Sequence, residues 1–147
     1  MRVDEFMNPN VVSISPEESA ALAARLLSRH NLGSLPVCSE GGNLRGIVTD
    51  RDIVLRCVAA EISPESTRVG EIMTKNVVTV TPEDDVREAA RIMSSKQVRR
   101  LPVVREGRVV GMLSLGDMAK SNRFNIEASK ALSEISSNVR KYGTPKY

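Results

Sequence analysis

One unit is written twice in this chain. The stretch "VDEFMNPNVVSISPEE" from Val3 lies over "VGEIMTKNVVTVTPED" from Val69, at an offset of 66 residues. "LPVCSE" at Leu35 lies over "LPVVRE" at Leu101 at that same offset. "GIVTDRDIVLR" from Gly46 then faces "GMLSLGDMAK" from Gly111 at an offset of 65, because "GGNLR" stands against "GRVV" between them. A hairpin can lose one residue at its tip without disturbing its strands. The duplication runs to about Ser121, so the fold must be one that a single unit can make twice.

Each copy reads as strand, helix, hairpin, helix. Val11–Ile14 makes a short strand. Ser15 is expected to cap the following helix with Pro16 at its first position, and Thr81 and Pro82 repeat the device. Glu17 and Glu18, and later Glu83 and Asp84, suit the positive end of the helix dipole. The helices carry apolar stripes at Ala20, Ala23, Ala24 and Leu27, and at Val86, Ala89, Ala90 and Met93, both at i, i+3, i+4, i+7 spacing. Two hairpins follow, Leu35–Cys38 with Arg45–Val48 and Leu101–Val104 with Val109–Leu113. The last helices run from about Asp50 to Ala60 and from about Leu115. The order is βαββα, twice, an α/β (α+β) chain. Repeat 1 is residues 1–66, including most of the linker Glu61–Thr67, repeat 2 is 67–121, and a tail is 122–147.

A chain of 147 residues suits one domain made of two halves. Aromatic residues are only 3% of it, so the core must be aliphatic. No apolar stretch approaches the ~20 residues of a membrane span, and a start carrying Asp4 and Glu5 does not read as a signal peptide. Cys38 and Cys57 stand alone in apolar settings and read as reduced core thiols, which points to the cytoplasm. His30, without partner ligands, reads as a helix-end residue. Residues 1–66 hold six basic and nine acidic side chains, and residues 67–147 hold fifteen and nine. The net charges of −3 and +6 make the second half the one to attract an anion.

In "GIVTDRD", Thr49 can cap the next helix while Asp52, three residues on, returns the bond in a capping box. Ser114 and Asp117 repeat the pattern. A cap alone requires no function. The repeated unit resembles the CBS domain, named after cystathionine beta-synthase, and the chain is similar to a stand-alone CBS pair. The resemblance rests on "MxxNVVxxxPE", on "NLGSLPV" and "VRRLPVV", and on "GIVTDRD" and "GMLSLGD", and covers roughly Val3–Ser121. It implies a pseudo-twofold pair of repeats with two clefts between them, clefts that in this family often hold adenosine nucleotides, and modules that commonly pair into a disc.

By that resemblance Asp52 and Asp117 are the ribose candidates, with Thr49 and Ser114 beside ribose and phosphate. The chemistry suits them: a carboxylate accepts from both hydroxyls of a cis-diol, and helix N-terminal N–H groups suit a phosphate. Arg51, Arg99 and Arg100 match positions that often face phosphates, where a guanidinium fork fits well. The copies differ here, because Gly33 and Ser34 stand in place of Arg99 and Arg100, and Gly116 in place of Arg51. Val12, Ile14, Val78, Val80, Pro36 and Pro102 are the positional candidates for holding adenine.

In the tail, Ala128, Ala131, Leu132, Ile135 and Val139 fall on one helical face, to be covered by a partner subunit or by the chain itself. No nucleophile–base pair, metal-ligand cluster or Walker-type loop is present, so no enzyme and no required cofactor is expected. The reading is a cytoplasmic, energy-sensing regulatory module that binds AMP, ADP or ATP, forms a homodimer and signals to a protein partner. The alternatives are a ligand-free dimerisation module, a binder of S-adenosylmethionine, or weak nucleic-acid binding by the basic half. Scarce aromatics weigh against base stacking.

Overall fold

The computed structural model describes residues 1–120 and 130–136. The helices are α1 (Ala20–His30), α2 (Asp50–Ile53), α3 (Val69–Ile72), α4 (Val86–Lys96) and α5 (Leu115–Ala119), and a 3-10 turn spans Val3–Glu5. The strands are β1 (Ser34–Cys38), β2 (Leu44–Thr49), β3 (Arg100–Arg105) and β4 (Arg108–Ser114). They form two separate two-stranded sheets, β1–β2 and β3–β4. β1 and β2 are antiparallel, with Ser34 opposite Thr49 and a register shift between Val37 and Cys38. The second hairpin turns on Glu106 and Gly107 alone, with φ of 53° and 80°. Two successive positive φ values are what a tight primed turn needs.

The strand expected at Val11–Ile14 is reduced to one bridge. Ile14 N–H donates to Pro36 O at 3.1 Å and Ile14 O accepts from Cys38 N–H at 2.9 Å. Val80 repeats this with Pro102 O at 3.1 Å and Val104 N–H at 2.8 Å. The helix caps also move. Ser19, not Ser15, accepts from Leu22 N–H at the start of α1, and Asp85, not Thr81, accepts from Arg87 N–H at the start of α4. The reason is that Ser15–Glu18 and Thr81–Asp84 are turns whose carbonyls are already used. Pro16 O and Glu18 O accept from Gly70 and Val69, and Pro82 O and Asp84 O accept from Asp4 and Val3. Both helices end on a left-handed residue, Asn31 (φ 53°) and Gln97 (φ 59°), and His30 occupies the last turn of α1.

The chain forms two compact units that cut across the repeat boundaries. Unit 1 contains Met1–Val11, Val78–Glu106 and the described part of Val110–Tyr147; unit 2 contains Val12–Val77 and Gly107–Val109. Local pairing explains the exchange. In unit 1, Asn8 N–H donates to Met112 O at 2.8 Å and Met112 N–H returns to Asn8 O at 3.0 Å. In unit 2, Thr74 and Ile47 make the matching pair at 2.7 and 2.9 Å. Each opening segment thus lies along the last strand of the other copy. Gly46 and Gly111 permit it, since a Cβ at Gly46 would stand 2.6 Å from Thr74 O, and one at Gly111 2.5 Å from Met7 Sδ.

Unit 2 buries Ile14, Ala20, Ala23, Leu27, Leu35, Val37, Val48 and Cys57 in one cluster. Ala24, expected on the buried stripe, is only packed against its edge, while Ala21 is buried. In unit 1 the stripe Val86, Ala89, Ala90 and Met93 is wholly buried, with Leu101, Val103 and Leu113. Fully burying such an aliphatic side chain contributes about 1.5–3 kcal/mol. Part of the tail, residues 130–136, is helical. Its Ala131 and Ile135 are buried, Leu132 is exposed, and Glu134 accepts from Ser94 Oγ of α4. The described tail is therefore covered by its own chain, and Leu132 does not share the buried face. Ala128 and Val139 lie outside the described residues.

Candidate functional site

Both capping boxes form, one in each unit. Thr49 Oγ1 accepts from Asp52 N–H at 2.9 Å and Asp52 Oδ2 accepts from Thr49 N–H at 3.0 Å. Ser114 Oγ accepts from Asp117 N–H at 3.0 Å and Asp117 Oδ2 accepts from Ser114 N–H at 3.2 Å. Extended backbone at Thr49 and Ser114 carries each strand straight into its helix. The two carboxylates differ in what else they do. Asp52 is buried at 6% exposure, and its oxygens also accept from Thr74 Oγ1 at 3.2 and 3.3 Å. Arg56 Nη1 stands 3.7 Å from Asp52 Oδ1. Asp117 is half-buried, and among the described residues its carboxylate has only the capping bond.

The helix after Asp52 is not the continuous one expected to Ala60. It is α-helical for four residues and then widens into a π turn at Val54–Val58, where Ala59 N–H reaches back to Val54 O. The wider turn buries Cys57 and points Arg56 at the backbone carbonyls of Ile72 and Met73. The N–H groups expected to await a phosphate at this helix start are taken. Asp50 N–H donates to Gly33 O, Arg51 N–H to Asp50 Oδ1 and Asp52 N–H to Thr49. At the second start Leu115 N–H donates to Arg99 O at 3.1 Å, which ties Arg99 to α5.

Unit 2 holds Val12, Ile14, Pro36, Thr49, Arg51 and Asp52, and unit 1 holds Val78, Val80, Arg99, Arg100, Pro102, Ser114 and Asp117. Arg51 and Arg99 are exposed and Arg100 half-buried, and none makes an ion pair among the described residues. Ile14 (5% exposed) and Val80 (2%) are core side chains. Pro36 and Pro102 are buried too, while Val12 and Val78 are half-buried. A groove of about 660 Å³ opens over Ser13, Ile14, Glu17 and Cys38 in unit 2. Burial raises the Cys38 thiol above its ordinary 9.0, with a Ser13 hydrogen bond pulling the other way. No group of three or more potential metal ligands occurs among the described residues.

Two residues escaped the sequence reading. Ser34 is 6% exposed, and its Oγ is buried with no hydrogen-bond partner among the described residues. It stands opposite Thr49, so the two side chains share a face of the hairpin. Its mismatch with Arg100 in the other copy was the only signal. Thr74 reaches Asp52 from a segment that the repeat alignment pairs with Asn8, and no local pattern marks it.

A hairpin-and-capping-box unit thus occurs twice, with one capping carboxylate at each helix start. The CBS domain family matches residues 3–58 and 69–122, and the chain belongs to that family. CBS pair modules are regulatory ligand-binding domains. CBS domain-containing protein YhcV of Bacillus subtilis (strain 168) is 38% identical over 134 residues, covering 91% of this chain and 94% of that protein. A crystal structure of Hypoxic Response Protein I with two coordinated zinc ions superposes with a TM-score of 0.76 at 32% identity, covering 82% of this chain and 98% of that one. The CBS domain pair of protein MJ0100, in complex with 5′-methylthioadenosine and S-adenosyl-L-methionine, gives a TM-score of 0.72 at 30% identity, covering 82% and 94%.

Proposed function

We propose that this chain is a regulatory module, not an enzyme, that binds an adenosine nucleotide of the AMP, ADP or ATP class and signals by a change in conformation or assembly. The observation that carries the reading is the pair of capping-box carboxylates. Asp117 retains acceptor capacity for a ribose diol, since an ionised carboxylate has about four acceptor sites. Arg99 and Arg100, without ion pairs among the described residues, supply the phosphate contacts, and Arg51 supplies one at the first corner. The half-buried Val12 and Val78 supply apolar contacts for adenine. The solved relative with two adenosine-bearing ligands supports the ligand class, and S-adenosylmethionine shares the same diol.

The test is a thermal-shift and calorimetry panel of AMP, ADP, ATP and S-adenosylmethionine on the full chain. Ligand at about 100 times its dissociation constant should stabilise the protein by about 2.7 kcal/mol. No shift with any of the four would leave the second reading, a ligand-free dimerisation module. The burial of Asp52 and its bonds from Thr49 N–H and Thr74 Oγ1 favour that alternative, since a carboxylate so paired serves as a cap without any ligand.

A homodimer fits both readings. Val54, Leu55 and Val58 are 49–59% exposed around the π turn, an apolar face that a second copy would cover. Light scattering on the full chain checks this, and a monomer at tens of micromolar would refute it. Nucleic acid should bind only weakly and lose affinity steeply with salt, as anisotropy titrations would show. The free, buried thiols of Cys38 and Cys57 support a reducing, cytoplasmic setting. Among the described residues, no helix is long and apolar enough to cross a membrane.

A further inference from the structure

The bonds around Asp52 form a closed circuit. From β2 the chain enters the Thr49 cap, and the cap is held by the Asp52 carboxylate. That carboxylate accepts from Thr74 Oγ1, and the Thr74 backbone returns to Ile47 in β2. Arg56 Nη1, 3.7 Å from Asp52 Oδ1, donates to Ile72 O at 3.0 Å and to Met73 O at 3.1 Å, which fastens the end of α3. Ile72 and Met73 are core residues, so a shift of this segment would be felt by the packing of unit 2. The second corner lacks the circuit among the described residues. Asn8 takes the place of Thr74 there, and its Oδ1 is occupied by Asn10 N–H.

We propose that Arg56 and Thr74 are positioning residues that couple the Asp52 carboxylate to residues 69–74, so that the state of this carboxylate sets the order of that segment. The physical basis is competition for acceptor sites. The Asp52 side chain is 8% exposed, and the Thr74 hydroxyl lies within bonding distance of both oxygens. With so little room around the carboxylate, a ligand diol that reaches both oxygens competes with that hydroxyl and crowds the guanidinium, which weakens the hold on Ile72 and Met73. Thr74 and Arg56 oppose occupation of Asp52 to the same degree, because such coupling is reciprocal. The trigger rests on the reading of Asp52 as a ribose contact, whereas the coupling itself does not.

The experiment is amide hydrogen exchange, followed by NMR on the full ligand-free chain, at Ile47, Met73 and Thr74. The proteins compared are the parent, Thr74→Val, Asp52→Asn, the double variant and Thr74→Ser. Thr74→Val and Asp52→Asn should each speed exchange by about tenfold, the double variant no more than either, and Thr74→Ser should return to the parent rate. Asn8 and Met112, at the other corner, should be unchanged. Independent effects that multiply in the double variant, or a Thr74→Ser protein that behaves like Thr74→Val, would overturn the coupling. Adenosine and 2′-deoxyadenosine are then added to the parent. Adenosine should speed exchange at Thr74 more than the deoxy form does. Adenosine bound at Asp52 with no change at Thr74 would overturn the proposal. If neither nucleoside binds while the coupling is measured, the adenosine reading falls and the coupling stands.

Discussion

The corner at Asp52 and the corner at Asp117 descend from one pattern and have become different devices. Both close a capping box of nearly equal geometry. At the first, Thr74 and Arg56 add further partners and bury the carboxylate, while the neighbouring Ser34 hydroxyl is left without one. At the second, the carboxylate is half-buried with its cap alone among the described residues, and an arginine replaces that serine. The lesson is that a local motif sets backbone geometry, while the neighbours that tertiary structure delivers decide how many further partners its carboxylate takes.

The largest separation should come from the aspartates. Asp52→Ala leaves a buried Thr49 N–H and the Thr74 hydroxyl unpaired and should cost about 3 kcal/mol in urea unfolding. Asp117→Ala loses a half-exposed cap and should cost about 1 kcal/mol. Their order should reverse in calorimetry, with Asp117→Ala losing more AMP affinity. Equal stability losses would erase the distinction between the corners.

The glycines under the exchanged segments should differ next. The Cβ of Gly46→Ala would meet a backbone oxygen, Thr74 O, whereas that of Gly111→Ala would meet the flexible end of Met7. Costs of about 2 and about 1 kcal/mol respectively are expected from denaturant curves. A larger loss at Gly111 would mean that Met7 cannot move aside.

Arg99→Ala and Arg100→Ala should each weaken ATP by about tenfold and leave adenosine nearly unchanged, the signature of a phosphate contact. Arg51→Ala should have a smaller effect, because the N–H groups beside it are already bonded. A uniform loss for ATP and adenosine would reassign these arginines to structure.

The smallest effect concerns pH and salt. In unit 1, Arg105 holds Glu83 below its ordinary 4.5 and Arg87 holds Asp85 below 3.8. In unit 2, the Ser15 hydroxyl lowers Glu17, and Glu65 is lowered by its own backbone N–H and by Ser63. A carboxylate depressed in the folded state adds stability above its unfolded pKa, and that stability is lost as pH falls through the folded value. All four should therefore contribute at neutral pH and fade below about pH 4. Added salt should raise the titration midpoints of Glu83 and Asp85, whose partners are charged, more than those of Glu17 and Glu65. Carboxyl NMR titrations at low and high salt would show it, and equal salt shifts in both units would refute the difference in cause.

Much of the molecule was legible from local pattern. The Thr49–Asp52 and Ser114–Asp117 boxes, the stripe of α4 and the place of His30 rest on neighbours within about four positions, and the two hairpins on apolar runs joined by short turns, where short-range sterics and hydrogen bonding decide. The helix starts were misplaced, because Ser15 and Thr81 look like caps as good as Ser19 and Asp85. The choice between them lies with residues 3–4 and 69–70, whose amides claim the turn carbonyls. The π turn at Val54–Val58 was equally hidden, since it accompanies an arginine that reaches carbonyls sixteen and seventeen residues away.

The sequence by itself determined that there are two copies of one hairpin-and-capping-box unit, because repetition and short-range bonding are written in adjacent residues. Only the tertiary structure decided which opening segment lies along which strand, since Met7 and Met73, and Asn8 and Thr74, are near-equivalents by alignment and differ in the surface each meets. That choice brings a threonine to Asp52 and an asparagine to the other corner. A buried carboxylate needs hydrogen-bond partners, so the two corners diverged where the opening segments lie and not where the motif is written.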